Sequence, residues 1–212
     1  MNTAFYEAQG IHGWISLQKT VEYLKKNYPE CFAIADAKRG DIGNTSAKYA
    51  KTFFELLPFD AVTVAPYMGY DSVEPFLAYK NKWTILLGIT SNAGSKDFQI
   101  LATEEGLLYE VVIKKAMRWA GPEKLMFVAG ATQPDIIKQI RNLAKEYFLL
   151  IPGVGAQGGS VEEVCVNGIN HFGGIFINSS RQIIYASQEN GFEQHVRQAA
   201  FSLQQKMQKF IC

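Results

Sequence analysis

The strongest constraint on this chain is a six-fold alternation of short apolar runs with amphipathic stretches. The apolar runs lie at 32–35, Asp60–Ala65, Trp83–Ile89, Leu125–Ala129, Tyr147–Ile151 and Phe172–Ile177. Near-continuous apolarity over so few residues fits strands buried on both faces. The segments between them carry apolar residues at helical spacing. They include 16–27 with Leu17, Val21 and Leu24, and 45–57 with Ala47, Ala50, Phe53, Phe54 and Leu57. Further helices are expected near 73–79, over 105–120 with Leu108, Val111, Val112 and Trp119 inward, from Pro134, over 160–167 and over 192–209. Ser160 with Glu163 makes a capping box, and Pro134 suits a first helical turn. Strand spacings of mostly twenty to thirty residues predict a parallel α/β sheet covered by helices. No linker or low-complexity tract interrupts it, so residues 1–212 are expected to form one domain.

Composition narrows the function classes. With 212 residues, 48% hydrophobic, the chain can bury a sizeable core. A formal net charge of +1 gives no broad basic face for nucleic acid, and no apolar run is long enough to span a membrane. No signal peptide is visible. Three widely spaced cysteines, Cys31, Cys165 and Cys212, suit a reducing, cytoplasmic setting, with Cys31 and Cys165 expected as small core residues. His12, His171 and His195 show no metal-ligand spacing, so no metal site is expected.

The chemistry is densest in Asp36-Ala37-Lys38-Arg39-Gly40-Asp41-Ile42-Gly43-Asn44-Thr45, just after the first strand. Side chains two apart in an extended chain share a face, so Asp36 and Lys38 are expected together. Asp41 returns after Gly40, and Asn44 or Thr45 can cap the next helix. Three readings compete: an ion-pair knot closing a loop, a Schiff-base lysine, and a lysine held charged as proton donor and electrostatic anchor. Schiff-base chemistry wants a neutral amine, whereas two carboxylates hold Lys38 protonated. The residue types favour the third reading.

In parallel α/β folds function gathers at the carboxyl ends of strands, and the other unusual segments fall there too. The 153–159 loop is glycine-rich and feeds a helix start, which favours an anion, and Arg181 follows the last strand with a planar fork of donors. Together they predict a phosphate site. Ser91 and Asn92 open a long polar loop, 90–103, and can read a polar ring; ordinary loop solvation is the competing reading.

The string Asp36-x-Lys38-x-x-Asp41-Ile42-x-x-Thr45 resembles the orotidine 5'-phosphate decarboxylase family, in its long bacterial branch. Supporting motifs run along the chain: Ala4-Phe5-Tyr6-Glu7, Pro66-Tyr67-Met68-Gly69, Thr90-Ser91-Asn92, Gly130-Ala131-Thr132, Pro152-Gly153-Val154-Gly155-Ala156-Gln157-Gly158-Gly159 and Ser180-Arg181-Gln182. The resemblance implies a (βα)8 TIM barrel and decarboxylation of orotidine 5'-monophosphate to UMP without metal or organic cofactor. It implies Lys38 as C6 proton donor, with Asp36 and Asp41 in the charge network. Ser91 would contact the base, and Gln157 and Arg181 the phosphate. It further implies a homodimer with shared sites, in which Asp41, Ile42 and Thr45 reach the neighbour's site.

Two departures qualify the resemblance. The family places a strand, a helix and a second strand ahead of the point where Met1 stands, and about six βα units are counted here against the eight of a closed barrel. The chain is therefore expected to be a TIM barrel lacking its first two strands and first helix, and to be unstable or inactive by itself. Ala65 and Ala93 stand where asparagine and proline are expected. The alternatives are a magnesium-dependent sugar-phosphate decarboxylase of the same superfamily, and a non-catalytic barrel fragment that binds nucleotide or a partner.

Overall fold

The computed structural model describes residues 1–154 and 159–210. The elements run α1 (Ala4–Glu7), α2 (Gly10–Asn27), β1 (Ile34–Arg39), α3 (Gly43–Lys51), β2 (Ala61–Val64), α4 (Tyr70–Leu77), β3 (Trp83–Ile89), β4 (Ala102–Thr103), β5 (Gly106–Leu107) and α5 (Leu108–Ala116). They continue with β6 (Leu125–Ala129), α6 (Pro134–Leu143), β7 (Leu149–Pro152), α7 (Val161–Gly168), β8 (Ile175–Asn178), α8 (Arg181–Ile184) and α9 (Phe192–Gln208). Six strands form one sheet in the order β1-β2-β3-β6-β7-β8, and β4 pairs with β5 in a separate hairpin. The pairs β1/β2, β2/β3, β6/β7 and β7/β8 are parallel. A mostly parallel six-stranded sheet with intervening helices is the pattern of part of a TIM barrel. The chain divides into two compact units, Met1–Leu87 with Lys115–Met126, and Gly88–Lys114 with Phe127–Cys212.

In the first unit, β2 is buried at every position, as expected of a central parallel strand. Leu17 and Val21 bury the inner face of α2. The helix starts six residues earlier than its apolar spacing suggests, at Gly10, and stops ahead of Pro29. Gly13 is buried there against the Tyr6 carbonyl, and a Cβ would lie 1.7 Å from its oxygen, so the position requires glycine. Helix α3 passes into a π-helical turn at Thr52–Leu56, which brings Phe53 and Phe54 into the core together. Ala47, expected inside, is exposed, and Ser46 is buried in its place. Ser46 can be buried because its hydroxyl donates toward the carbonyls of Asp41 and Ser72, at 2.7 and 2.8 Å. Neither Asn44 nor Thr45 caps this helix; the N-cap is Ile42, with no side-chain cap. Cys31 is exposed and not a core residue, because β1 begins only at Ile34.

In the second unit, the expected helix over 105–120 begins at Leu108, since Gly106 sits at φ +120° and turns the β4–β5 hairpin. Its buried residues are accordingly Tyr109, Val111, Ile113 and Ala116; Leu108 and Val112, expected inward, are only half-buried. Arg141 on α6 is 8% exposed. It donates five hydrogen bonds, to the carbonyls of Gly168, Ala144, Lys145, Tyr147 and Gly174, and so ties α6 to the starts of β7 and β8. Helix α7 opens on Ser160, whose hydroxyl accepts from the Glu163 N–H. Helix α9 has no buried residue.

Candidate active site

Strand β1 runs through the charged cluster instead of ending before it. The register explains how. Ala35 faces Val62 and Arg39 faces Val64, so four steps along β1 match two along β2. The extra length bulges at Asp36-Ala37-Lys38, and Lys38 adopts φ +45°, a left-handed conformation uncommon for a residue with a side chain. Such strain persists only where surrounding bonds over-determine it, and it concentrates at functional sites. Three hydrogen bonds meet here. Lys38 Nζ donates to Asp36 Oδ1 at 2.5 Å, Thr63 Oγ1 donates to the same oxygen at 3.0 Å, and the Lys38 N–H donates to Thr63 Oγ1 at 2.8 Å. The main chain of Met1–Thr3 lies along the other side of β1. The Asp36 N–H donates to the Met1 carbonyl, and the Thr3 N–H to the Asp36 carbonyl. The Asp36 side chain is 10% exposed and that of Lys38 46% exposed, so the carboxylate is fixed at the wall while the ammonium reaches outward.

Arg39 points away from the pair. It forms an ion pair with Glu7 and lies over the rings of Tyr49 and Phe53, at 5.2 and 5.3 Å. The Glu7 carboxyl is held below its usual range overall: burial opposes this, but bonds from Arg39 and Thr3 outweigh it. Asp41 does not bracket Lys38 within the chain; its carboxylate accepts from the Ile42 N–H at 2.8 Å. Ile42 is 59% exposed and Thr45 is exposed, both on the rim beyond β1. Thr63 is the residue that sequence reasoning missed. It lies inside an apolar run, where a β-branched threonine reads only as a strand former.

The second unit gathers the other motifs. Gly130 follows β6, and a Cβ there would lie 2.7 Å from the Ser91 nitrogen. Ser91 is half-buried, and the preceding Thr90 is anchored by Gln99, whose Oε1 accepts the Thr90 N–H at 2.8 Å. The expected long polar loop is thus partly ordered, with a 3-10 turn at Ala93–Asp97 and the β4–β5 hairpin. Ala131 donates its N–H to the Pro152 carbonyl at the base of the glycine-rich loop. Gly153 takes φ +94°, and a Cβ on Gly159 would meet that of Ala131 at 2.7 Å, so both positions require glycine. Gln157 lies outside the described residues. Pro152 pairs with Asn178, so the glycine-rich loop and the segment bearing Arg181 leave adjacent strand ends. Arg181 is exposed at the first turn of α8. A cavity of about 640 Å³ opens nearby, with Gly159, Ser160, Ser179, Gln182, Lys206 and Lys209 in its lining. Among the described residues no group of His, Cys, Asp and Glu could hold a metal ion.

Parallel strands alternating with helices place the chain in the βα-barrel class of proteins, with a carboxylate–ammonium pair on β1 in the first unit and a glycine-rich loop and an arginine after β7 and β8 in the second. The sequence profile of the Orotidine 5'-phosphate decarboxylase / HUMPS family matches residues 1–191. An orotidine 5'-phosphate decarboxylase of Phocaeicola vulgatus is 55% identical over 212 residues, all of this chain and 78% of that protein. One of Bacteroides fragilis is 56% identical over 207 residues, 97% of this chain and 76% of that protein. The structure of Leishmania donovani OMP decarboxylase superposes with a TM-score of 0.84 at 31% identity, over 97% of this chain and 79% of that one. The chain belongs to the orotidine 5'-phosphate decarboxylase family.

Proposed function

We propose that the site carried by this chain serves the decarboxylation of orotidine 5'-phosphate to UMP, with Lys38 as the proton donor; the chain by itself is still expected to be unstable or inactive. The C6–carboxylate bond breaks, CO2 leaves, and the electron pair stays on C6. A fixed ammonium stabilises that charge as it develops and then transfers a proton to the carbon. The observation that carries this reading is the Asp36–Lys38 pair, built on a left-handed Lys38 in a bulged strand end. Asp36 pairs with the ammonium and holds it in place. Ser91 is assigned to the base, and Gln157 and Arg181 to the 5'-phosphate. Phosphate contacts remote from C6 supply binding energy for the chemical step.

Two copies of the chain are proposed to share sites, Asp41, Ile42 and Thr45 of one reaching the other. In support, the Asp41 carboxylate accepts from the neighbouring Ile42 N–H, and Ile42, Tyr67, Met68 and Tyr70 are exposed apolar residues on the first unit. The setting proposed is the cytoplasm. In support, Cys31 and Cys165 are free thiols, and no helix among the described residues is long and apolar enough to cross a membrane. The test follows loss of orotidylate absorbance in the complete gene product, with UMP binding in parallel. Turnover without added magnesium is expected; UMP binding without turnover would overturn the proposal.

A further inference from the structure

We infer that Thr63 is a positioning residue for the Asp36–Lys38 pair, an assignment that rests on the function proposed above. In a regular parallel ladder alternate residues bond opposite neighbours, so Lys38 would turn its N–H to the same side as Asp36, whose backbone bonds Met1 and Thr3. The bulge, in which four steps of β1 are matched by two of β2, turns the Lys38 N–H toward β2 instead. There the Thr63 hydroxyl accepts it at 2.8 Å. Its own proton goes to Asp36 Oδ1 at 3.0 Å, the oxygen that also receives Lys38 Nζ at 2.5 Å; the Ala35 carbonyl, at 3.5 Å, is the poorer acceptor. One fully buried hydroxyl therefore holds the lysine's backbone and orients its counter-ion. A hydroxyl is the group that can do both, because it accepts and donates at once. Valine has the same shape and would do neither. Thr63 acts through its neighbours and touches no reacting atom.

The test compares Thr63→Val and Thr63→Ser in the complete gene product, with Thr63→Ala as second hydroxyl deletion should the valine variant not fold. For the deletion, kcat on orotidine 5'-phosphate is expected to fall about 10- to 100-fold, because a misplaced reacting group is costly. UMP affinity should stay within about threefold, since no phosphate or base contact is altered. Exchange of the Lys38 backbone amide should accelerate about tenfold or more while that of Val64 holds, reporting local and not global opening. Serine should restore both the kcat and the exchange protection. The inference is overturned if kcat and Lys38 exchange are unchanged without the hydroxyl, if serine fails to restore them, or if Val64 exchange rises in step with Lys38. If the unaltered protein shows no decarboxylation, the function proposed above fails, and the exchange measurements still decide whether Thr63 holds Lys38.

Discussion

Gly130→Ala tests how the loop bearing Ser91 is positioned. The added Cβ would lie 2.7 Å from the Ser91 nitrogen and 2.9 Å from both Ser91 Cα and the Thr90 carbonyl carbon. All three are backbone atoms, so no side-chain rotation relieves the contact. Ordinary contact begins near 3.4 Å, and the Thr90–Ser91 backbone must retreat by about 0.7 Å. The retreat is resisted by the Gly130 N–H bond to the Ile89 carbonyl and by the Gln99 bond to Thr90. Overpacking of this kind costs about 1–3 kcal/mol of stability. A displacement of that size at a group assigned to the base should weaken UMP binding by about 10- to 100-fold. Calorimetric titration with UMP, alongside urea unfolding, reads both effects. A variant that binds UMP within about twofold of the unaltered protein would refute the placing of Ser91 at the base, whatever its stability.

Arg141→Met keeps an apolar stem but strips five backbone carbonyls of their donor. Burial lowers this guanidinium only to about 10, so it is charged at neutral pH, and the substitution should cost about 3–5 kcal/mol in urea unfolding. A loss below about 1 kcal/mol would mean the carbonyls find other partners. Burial foremost, with Glu110 adding, pushes the Tyr109 phenol up to about 12; burial with Glu55 does the same for Tyr79. The folded state thus binds these protons more tightly than the unfolded one. Their contribution to stability is full below the ordinary phenol value near 10 and is lost as pH rises through about 12. Following phenolate absorbance, Tyr109→Phe should remove one late-titrating phenol; if every tyrosine ionises near pH 10 while the protein is folded, the burial argument fails.

Much of the fold is legible in the residues themselves. The strands Trp83–Ile89 and Leu125–Ala129 match their apolar runs end to end, because neighbours cover both faces and nothing polar blurs the edges. The misreadings have local causes. Glu105 looks like the start of a helix, but Gly106 at φ +120° lies in a hairpin first. Apolarity chose Ala47 for the core, where a hydrogen-bonded Ser46 sits instead. In the site, the meeting of Asp36 and Lys38 is legible from their spacing, but its cause is not simple pleating. A bulge and a left-handed lysine bring the two together, held by a threonine that the sequence presents as one more strand former. Nor does the spacing reveal that the Asp41 carboxylate turns to the Ile42 N–H within the chain.

The central claim is that the Lys38 ammonium delivers the proton to C6, and Lys38→Gln tests it most directly. Glutamine preserves length and polarity at the Asp36 carboxylate but carries no positive charge and no transferable proton. Measured on orotidine 5'-phosphate in the complete gene product, kcat should fall about a thousandfold or more, with UMP binding within about fivefold of the unaltered protein. Turnover within about tenfold of the unaltered protein would contradict the account.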